Sequence, residues 1–205
     1  MSAKRFEIIS KQTLFEGFFR LEKFRLRHTL FAGGWSPEIS RELFCRGECV
    51  GVLLYDPDAD KLVLIEQFRV GAIDKPQKAW MLEIVAGAVE TGEHPEAVAA
   101  RESLEEAGCE ILELLPIYEY YSTPGGSSEL VSLYCGKIDS RNVGGIHGLA
   151  EEGEDILVHL VDFDSAYQML QDRRIETALP IIAIQWLALN RPWLRQQWAG
   201  QAQQA

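Results

Sequence analysis

The sequence predicts an α/β fold, an α/β/α sandwich around a mixed sheet, with an antiparallel β extension at its N-terminus. Three observations predict it. Residues 5–46 alternate apolar and polar types between turn residues. Short apolar runs bounded by turns recur at 47–56, 61–69, 80–86, 110–121, 129–138 and 156–163. Two segments have helical character, one at 95–107 and one opening near Thr177. With 205 residues, 47% hydrophobic and 25% charged, the chain can bury a sizeable core.

Along the chain, RFEII, TLFEGFFRLEKFRLRHTLF and SRELFCR read as about three antiparallel strands punctuated by Gly33, Gly34 and Pro37. Such strands need a partner for their apolar faces, either the chain's own core or a second copy of it. GECVGVLLYD and KLVLIEQFR form a hairpin about Pro57–Asp60, and WMLEIVA delivers the chain into a loop at Gly87. EILELLPIYEYY and ELVSLYCGKI are strands separated by the flexible loop STPGGSS. RNVGGIHGLAEEGED is a second polar loop, and ILVHLVDF is the last strand. Asp164 or Ser165 caps a helix through Arg173, and Thr177 caps a final helix that holds Pro180 in its first turn and bends or ends at Pro192. Trp186, Trp193 and Trp198 are core or interface aromatics. The expected organisation is an extension at 1–46, a main domain at 47–198 and a flexible tail at 199–205.

The net charge of −11 argues against nucleic-acid binding, which needs a basic footprint. No apolar run approaches the ~18–20 residues of a membrane span, and MSAKRFEIIS lacks a signal-peptide core, so a cytoplasmic location without membrane attachment is expected. Cys45, Cys49, Cys109 and Cys135 show no C-x-x-C spacing and read as free thiols. His28, His94, His147 and His159 form no ligand pattern.

The stretch around which the chain is organised is Gly87–Cys109, GAVETGEHPEAVAARESLEEAGC. Pro95 suits a first helical position, Ala97, Ala99 and Ala100 favour helix, and Gly108 suits the residue past its end. On that helix Glu102, Glu105 and Glu106 fall on one face within about one turn, ~6 Å of axis. Taken alone, E-x-x-E-E is a solvated acidic face. Within this longer pattern the repulsion calls for an offset, and a hard divalent cation such as Mg²⁺ suits carboxylate oxygens. Arg101 neutralises part of the cluster and pairs with Glu93.

The pattern G-x5-E-x7-R-E-x2-E-E-x-G, complete here from Gly87 to Gly108, resembles the signature of the Nudix hydrolases. Ser103 and Cys109 depart from it at packing positions. Beyond it, GFFRLEKFRLRHTLF, SRELFCRG, EQFR, LEIVAGAVE, STPGGSSE and GIHGLAEEGEDI are similar to the bacterial ADP-ribose pyrophosphatases over nearly the whole chain. The resemblance implies a Nudix fold and a homodimer that exchanges its N-terminal strands. It implies Mg²⁺, with Mn²⁺ as a substitute, held by Glu102, Glu106, Glu154 and the backbone carbonyl of Ala86. Glu105 is a less certain third acid of the motif, and Glu152 falls where the family places a catalytic base on a mobile loop; choosing it over Glu151 rests on the resemblance alone. Arg69, Arg46 and Arg41 match ligand-contacting positions, and the planar fork of arginine pairs well with phosphate oxygens. Phe18 and Phe19 match an aromatic pair near adenine; adjacent strand residues point to opposite faces, so at most one is expected to stack. Glu42, Ala88, Thr123, Pro124, Gly125 and Glu129 match further ligand-contacting positions.

The implied reaction is hydrolysis of the pyrophosphate bond of ADP-ribose to AMP and ribose 5-phosphate. The alternatives are a hydrolase of another nucleoside diphosphate sugar such as GDP-mannose, and a non-catalytic ligand sensor. Sensors of this kind commonly lose motif carboxylates, whereas Glu102, Glu105 and Glu106 are all present.

Overall fold

The structure, a computed structural model, describes residues 3–201. The chain divides into two compact units, one of residues 1–48 and 120–130, the other of 49–119 and 131–205.

The first unit is built on a three-stranded antiparallel meander of β1 (Phe6–Glu16), β2 (Arg20–His28) and β3 (Ile39–Cys45). Its alternation does not bury one face: every residue of β1 is exposed, including Phe6 and Phe15. What the small sheet does bury is Glu22, clamped by Lys11 at 3.0 Å and Arg20 at 2.8 Å. The loop 122–129 belongs to this unit and is laced to β3, with the Phe44 amide donating to Gly126 O and the Ser128 amide to Phe44 O.

The second unit carries the core. Its sheet has eight strands, β4 (Glu48–Asp56), β5 (Lys61–Phe68), β6 (Trp80–Glu83), β7 (Val85–Ala88), β8 (Glu113–Tyr121), β9 (Leu130–Lys137), β10 (Gly145–His147) and β11 (Ile156–Asp162). The β4–β5 hairpin pairs only at its closed end, Tyr55↔Leu62 and Asp56↔Lys61. Beyond that the two strands splay; β7 pairs β4 at Gly51↔Ala86 and β6 pairs β5 at Ile65↔Glu83, so the segment leading to Gly87 fills the gap. The amide of Leu130 bonds Gly47 O and that of Ile138 bonds Tyr55 O, so β9 runs parallel to β4 and the sheet is mixed.

Helix α1 (Pro95–Ala107) has the predicted bounds. Pro95 occupies its first turn, and Gly108 at φ 62° closes it with amide bonds from Gly108 to Leu104 O and from Cys109 to Ser103 O. The Ser103 departure is harmless because its buried hydroxyl donates to Ala99 O at 2.7 Å. Val98, Ala99 and Ala107 pack with Val63, Ile65 and Val158, so α1 covers that sheet face. The opposite face, with Leu64 and Val161, meets α2 (Phe163–Gln171) and leads toward α3 (Ala178–Gln201).

Several expectations give way here. Helix α2 starts at Phe163, two residues before a cap at Asp164 allows and three before one at Ser165, and ends at Gln171, two short of Arg173; Asp162 at its N-cap makes no capping bond, sitting 3.8 Å from Lys61 instead. Thr177 precedes α3, but its buried hydroxyl has no partner. Pro192 does not end α3: the helix continues to Gln201, held on both sides of the proline by buried Leu187, Leu194 and Trp198. Such packing outweighs the ~3 kcal/mol that an interior proline costs. Of the tail expected at 199–205, residues 199–201 are the last turn of α3 and 202–205 lie outside the described residues. None of the four cysteines is in a disulfide.

A polar clamp ties the hairpin to α3. The buried Tyr55 hydroxyl donates to Asp60 Oδ1 at 2.6 Å, while Arg191 and Arg195 reach Asp60 Oδ2. Removing Asp60 leaves the Tyr55 hydroxyl without its acceptor and Arg195 without this carboxylate, while Arg191 keeps Asp164 at 3.1 Å. Asp60→Ala is expected to cost about 2–4 kcal/mol and Tyr55→Phe about 1 kcal/mol by urea denaturation; equal costs for the two would mean that the arginines contribute nothing.

Candidate active site

The loop opening with Gly87 and the helix α1 bring the motif carboxylates to one place. A Cβ on Gly87 would stand 1.9 Å from Glu102 Oε1, so only glycine lets the backbone lie against that carboxylate. Arg101 Nη1 donates to Glu102 Oε1 and Glu105 Oε2, each at 2.9 Å, and its Nε is 3.6 Å from Glu93 Oε1, giving the expected Arg101–Glu93 pair. Burial works against the charge on Arg101, but Glu102, Glu105 and Glu93 outweigh it and hold its pKa above the ordinary value.

Glu106 is the buried member, 3% exposed, and its Oε2 accepts the Ala86 amide at 2.9 Å. Burial pushes its pKa up to about 8; the Ala86 bond and the Arg69 charge oppose this, while Glu102 and Glu154 add to it. Burial likewise raises Glu102, which also feels Glu105 and Glu154. The structure therefore brings Glu102, Glu105, Glu106 and Glu154 within electrostatic reach of one another, beside Ala86. Ala88 follows at the exposed end of β7.

The second acidic loop is fastened to α1: the Gly148 amide donates to Glu105 O at 3.1 Å, and His147 lies against Gly108. Glu154 accepts the Leu149 amide at 3.0 Å. Glu151 and Glu152 are exposed on a single 3-10 turn, Ala150–Glu152, closed by Gly153 at φ 73°. Neither side chain has a hydrogen bond or ion pair to a described residue, so the structure does not bring Glu152 into the carboxylate group.

Arg69 follows β5 with extended backbone, and its Nε and Nη2 lie 2.9 and 2.8 Å from Glu83 Oε2. Sequence reasoning missed Glu83; the WMLEIVA pattern marks a strand but does not say which cation its acid meets.

Among the described residues no group of three or more His, Cys, Asp or Glu side chains is drawn together as a metal cage. The donor chemistry nevertheless fits a hard cation. Glu105 and Glu154 disfavour ionisation of Glu102, Glu102 and Glu154 disfavour that of Glu106, and Glu106 is too buried for water to relieve it, so positive charge beside them would favour their ionised forms. Those three and the Ala86 carbonyl are the groups that could hold such an ion.

The remaining predicted residues lie in the first unit and form a second group. Arg46 lies over the Phe19 ring, its guanidinium carbon 4.7 Å from the centroid, and its Nε is 3.1 Å from Glu129 Oε1. Phe19 also meets Phe18 and Phe44 edge-on at 4.7 and 4.9 Å. Phe18 and Phe19 sit in the turn between β1 and β2, not on a strand, so the opposite-face rule does not apply and their rings touch. Phe18 is 96% exposed. An open cavity of about 480 Å³ runs along Glu16, Phe18, Arg20, Cys45, Arg46 and Ser128; Arg20, Cys45 and Ser128 carried no motif that would have singled them out. Arg41 and Glu42 are exposed neighbours on β3, with Arg41 Nη1 bonded only to Ser40 O. Thr123, Pro124 and Gly125 form an exposed turn in which Thr123 O accepts the Gly126 and Ser127 amides. No described side-chain contact joins these five to the Arg46–Phe19–Glu129 group.

A model of the NUDIX domain matches residues 46–182. The chain is 46% identical over 193 residues to an ADP-ribose pyrophosphatase of Escherichia coli (strain K12), covering 94% of this chain and 92% of that one. It is 45% identical over 200 residues to the ADP-ribose pyrophosphatase of Haemophilus influenzae, covering 96% and 92%. A GDP-mannose pyrophosphatase of Shigella flexneri is 29% identical over 151 residues, covering 73% of this chain and 78% of that one. A solved structure described as an ADP compounds hydrolase superposes with a TM-score of 0.70 at 20% identity, covering 96% and 98%, which shows a shared fold. With the family signature intact from Gly87 to Gly108 and the domain match spanning most of the chain, the protein belongs to the Nudix family.

Proposed function

We propose that the protein hydrolyses the pyrophosphate bond of ADP-ribose, giving AMP and ribose 5-phosphate, with Mg²⁺ as the cation and Mn²⁺ as a substitute. The observation that carries this reading is the similarity to ADP-ribose pyrophosphatases at 46% over 94% of the chain, against 29% over 73% for the GDP-mannose pyrophosphatase. The complete set of motif carboxylates favours an enzyme over a ligand sensor.

In this reading Glu102, Glu106, Glu154 and the Ala86 carbonyl hold the cation, with Glu105 balancing Arg101. Bound there, a divalent cation supplies charge neutralisation for the diphosphate and acidifies water. Glu106 has to give up its proton to serve, so binding releases a proton at neutral pH. Arg69 offers its guanidinium to a phosphate oxygen in place of Glu83. Glu152, exposed and unpaired on its short turn, accepts the proton of the attacking water once substrate is in place. Phe19 and Arg46 supply a stacking face and a cation for the nucleoside part, with Phe18, Arg41, Glu42, Ala88, Thr123–Gly125 and Glu129 contributing the further contacts that the family resemblance implies.

The protein acts as a homodimer in which the exposed apolar residues of β1 are covered by a second copy. It resides in the cytoplasm and works without nucleic acid or membrane. Four cysteines outside any disulfide and a net charge of −11 support this, and among the described residues no helix is long and apolar enough to cross a membrane.

Turnover is tested by AMP release from ADP-ribose beside GDP-mannose. ADP-ribose is expected to be the better substrate, and preference for GDP-mannose would overturn the substrate reading. Glu106→Gln is expected to lower kcat by at least ~10³-fold, the scale of losing one charge-stabilising group. Glu152→Gln should lower kcat with metal affinity unchanged; a slow Glu151→Gln beside a normal Glu152→Gln would move the base by one residue. Sedimentation should give twice the chain mass, and Phe6→Ser with Phe15→Ser should shift it toward the monomer; an unchanged dimer would place the interface elsewhere.

The pKa of Glu106 also predicts a pH dependence for protein stripped of metal by a chelator. Below pH 4.5 folded and unfolded chains both hold this proton. From there to about 8 only the folded chain holds it, so stability falls as pH rises and levels off above. The slope from this one group is at most ~1.4 kcal/mol per pH unit. Melting curves of Glu106→Gln should lack that decline between pH 5 and 8, and an identical slope in the variant would mean that Glu106 is ionised in the folded apoprotein.

A further inference from the structure

Gln67 is the buried polar side chain that the proposed mechanism leaves unused. It is 6% exposed, its Nε2 has no hydrogen-bond partner, and its carboxamide makes no bond to any described residue. A buried amide left unsatisfied costs about 1–3 kcal/mol, so a partner that arrives with a ligand is the economical explanation.

Its place on the sheet says which ligand. Strand β5 alternates, and the extended backbone at Arg69 carries that alternation one residue past the strand, so Ile65, Gln67 and Arg69 share a face. The register Ile65↔Glu83 and Gln67↔Met81 puts Glu83 on that face too. Ile65 packs in the core with Val98 and Ala99 of α1, so this is the face that α1 covers. The Arg69 charge is felt at Glu106. Gln67 therefore stands in the row between the core and the Arg69–Glu83 pair, on the side of the sheet that carries the acidic cluster.

We infer that Gln67 is a substrate-binding residue whose Nε2 donates to an oxygen of the substrate's diphosphate. The inference rests on the pyrophosphatase reading above and adds a contact to it. An N–H donor needs an acceptor, and the acceptor suited to an arginine two residues along the same face is a phosphate oxygen. The terminal torsion of glutamine is broad, so the amide can turn toward the phosphate without moving β5.

The test is Gln67→Met, close in volume and apolar. Replacing an unsatisfied buried amide by an apolar side chain should leave Tm unchanged or raise it, while kcat/KM for ADP-ribose falls about tenfold, the loss of roughly one hydrogen bond to a charged group. Calorimetric binding of α,β-methylene ADP-ribose with Mg²⁺ should weaken by the same factor, whereas AMP release per bound substrate at saturation changes less. A lowered Tm would mean that the amide is held by the protein, and unchanged affinity for the analogue with a normal Tm would mean that it touches no phosphate; either overturns the inference. If the unmutated protein neither binds the analogue nor cleaves ADP-ribose, the pyrophosphatase reading fails first, and Gln67→Glu read against inorganic pyrophosphate still decides whether the amide serves a diphosphate: loss of that binding supports it, and unchanged binding rules it out.

Discussion

The structure depends on a repulsion. Glu102, Glu105 and Glu106 are forced onto one helix face by the period of α1, and Glu154 is brought to them by a loop bonded to the same helix. Left in water the acids would spread their charge into solvent. Instead Gly87 lays backbone directly against Glu102, and Glu106 is sealed beneath β7. The fold concentrates negative charge where solvent cannot relieve it, and every neighbouring feature answers to that concentration. Arg101 partly cancels it from outside, the Ala86 amide steadies one oxygen from inside, and burial raises the pKa of Glu106 to about 8.

What was legible in the sequence follows from how local each cause is. Helix α1 could be bounded to the residue because Pro95 and Gly108 act through their own backbone preferences. The Arg101–Glu93 pair was equally readable, since both sit in one short motif. Of the two outcomes expected at Pro192, a bend or an end, the end fails for the opposite reason: the local rule was sound, but Leu194 and Trp198 pack beyond the proline and carry the helix through it. Phe18 and Phe19 were misjudged because the turn between β1 and β2 falls on them, and alternation holds only inside a strand. Glu83 and Gln67 were invisible. Their roles depend on strand register, which no local pattern in 80–86 or 61–69 encodes.

The two site groups solve different physical problems. The carboxylate group uses burial to sharpen electrostatics, and its cost in stability is met by the dense core of Val63, Ile65, Val98 and Val158 directly beneath it. The Arg46–Phe19–Glu129 group is more open, with a half-buried aromatic beneath a cation that also pairs with a partly exposed carboxylate. Such a surface discriminates by stacking and shape, whereas the buried acids act on charge. The aromatic and the acidic groups thus differ in exposure, and the reading proposed above gives recognition to the first and chemistry to the second.

The apolar residues left bare on β1 fit the same division. A sheet of three strands with Phe6, Ile8 and Phe15 in water is a poor domain by itself, because such an extension buries too little apolar area to offset its own ordering. If a second copy covers it, only β1 is completed on assembly, whereas the Arg46–Phe19–Glu129 contacts and the carboxylate group both form within one chain. The covering of β1 would then depend on protein concentration and the packing around α1 would not, so dilution should expose β1 to proteolysis before it lowers the stability of the unit that carries α1.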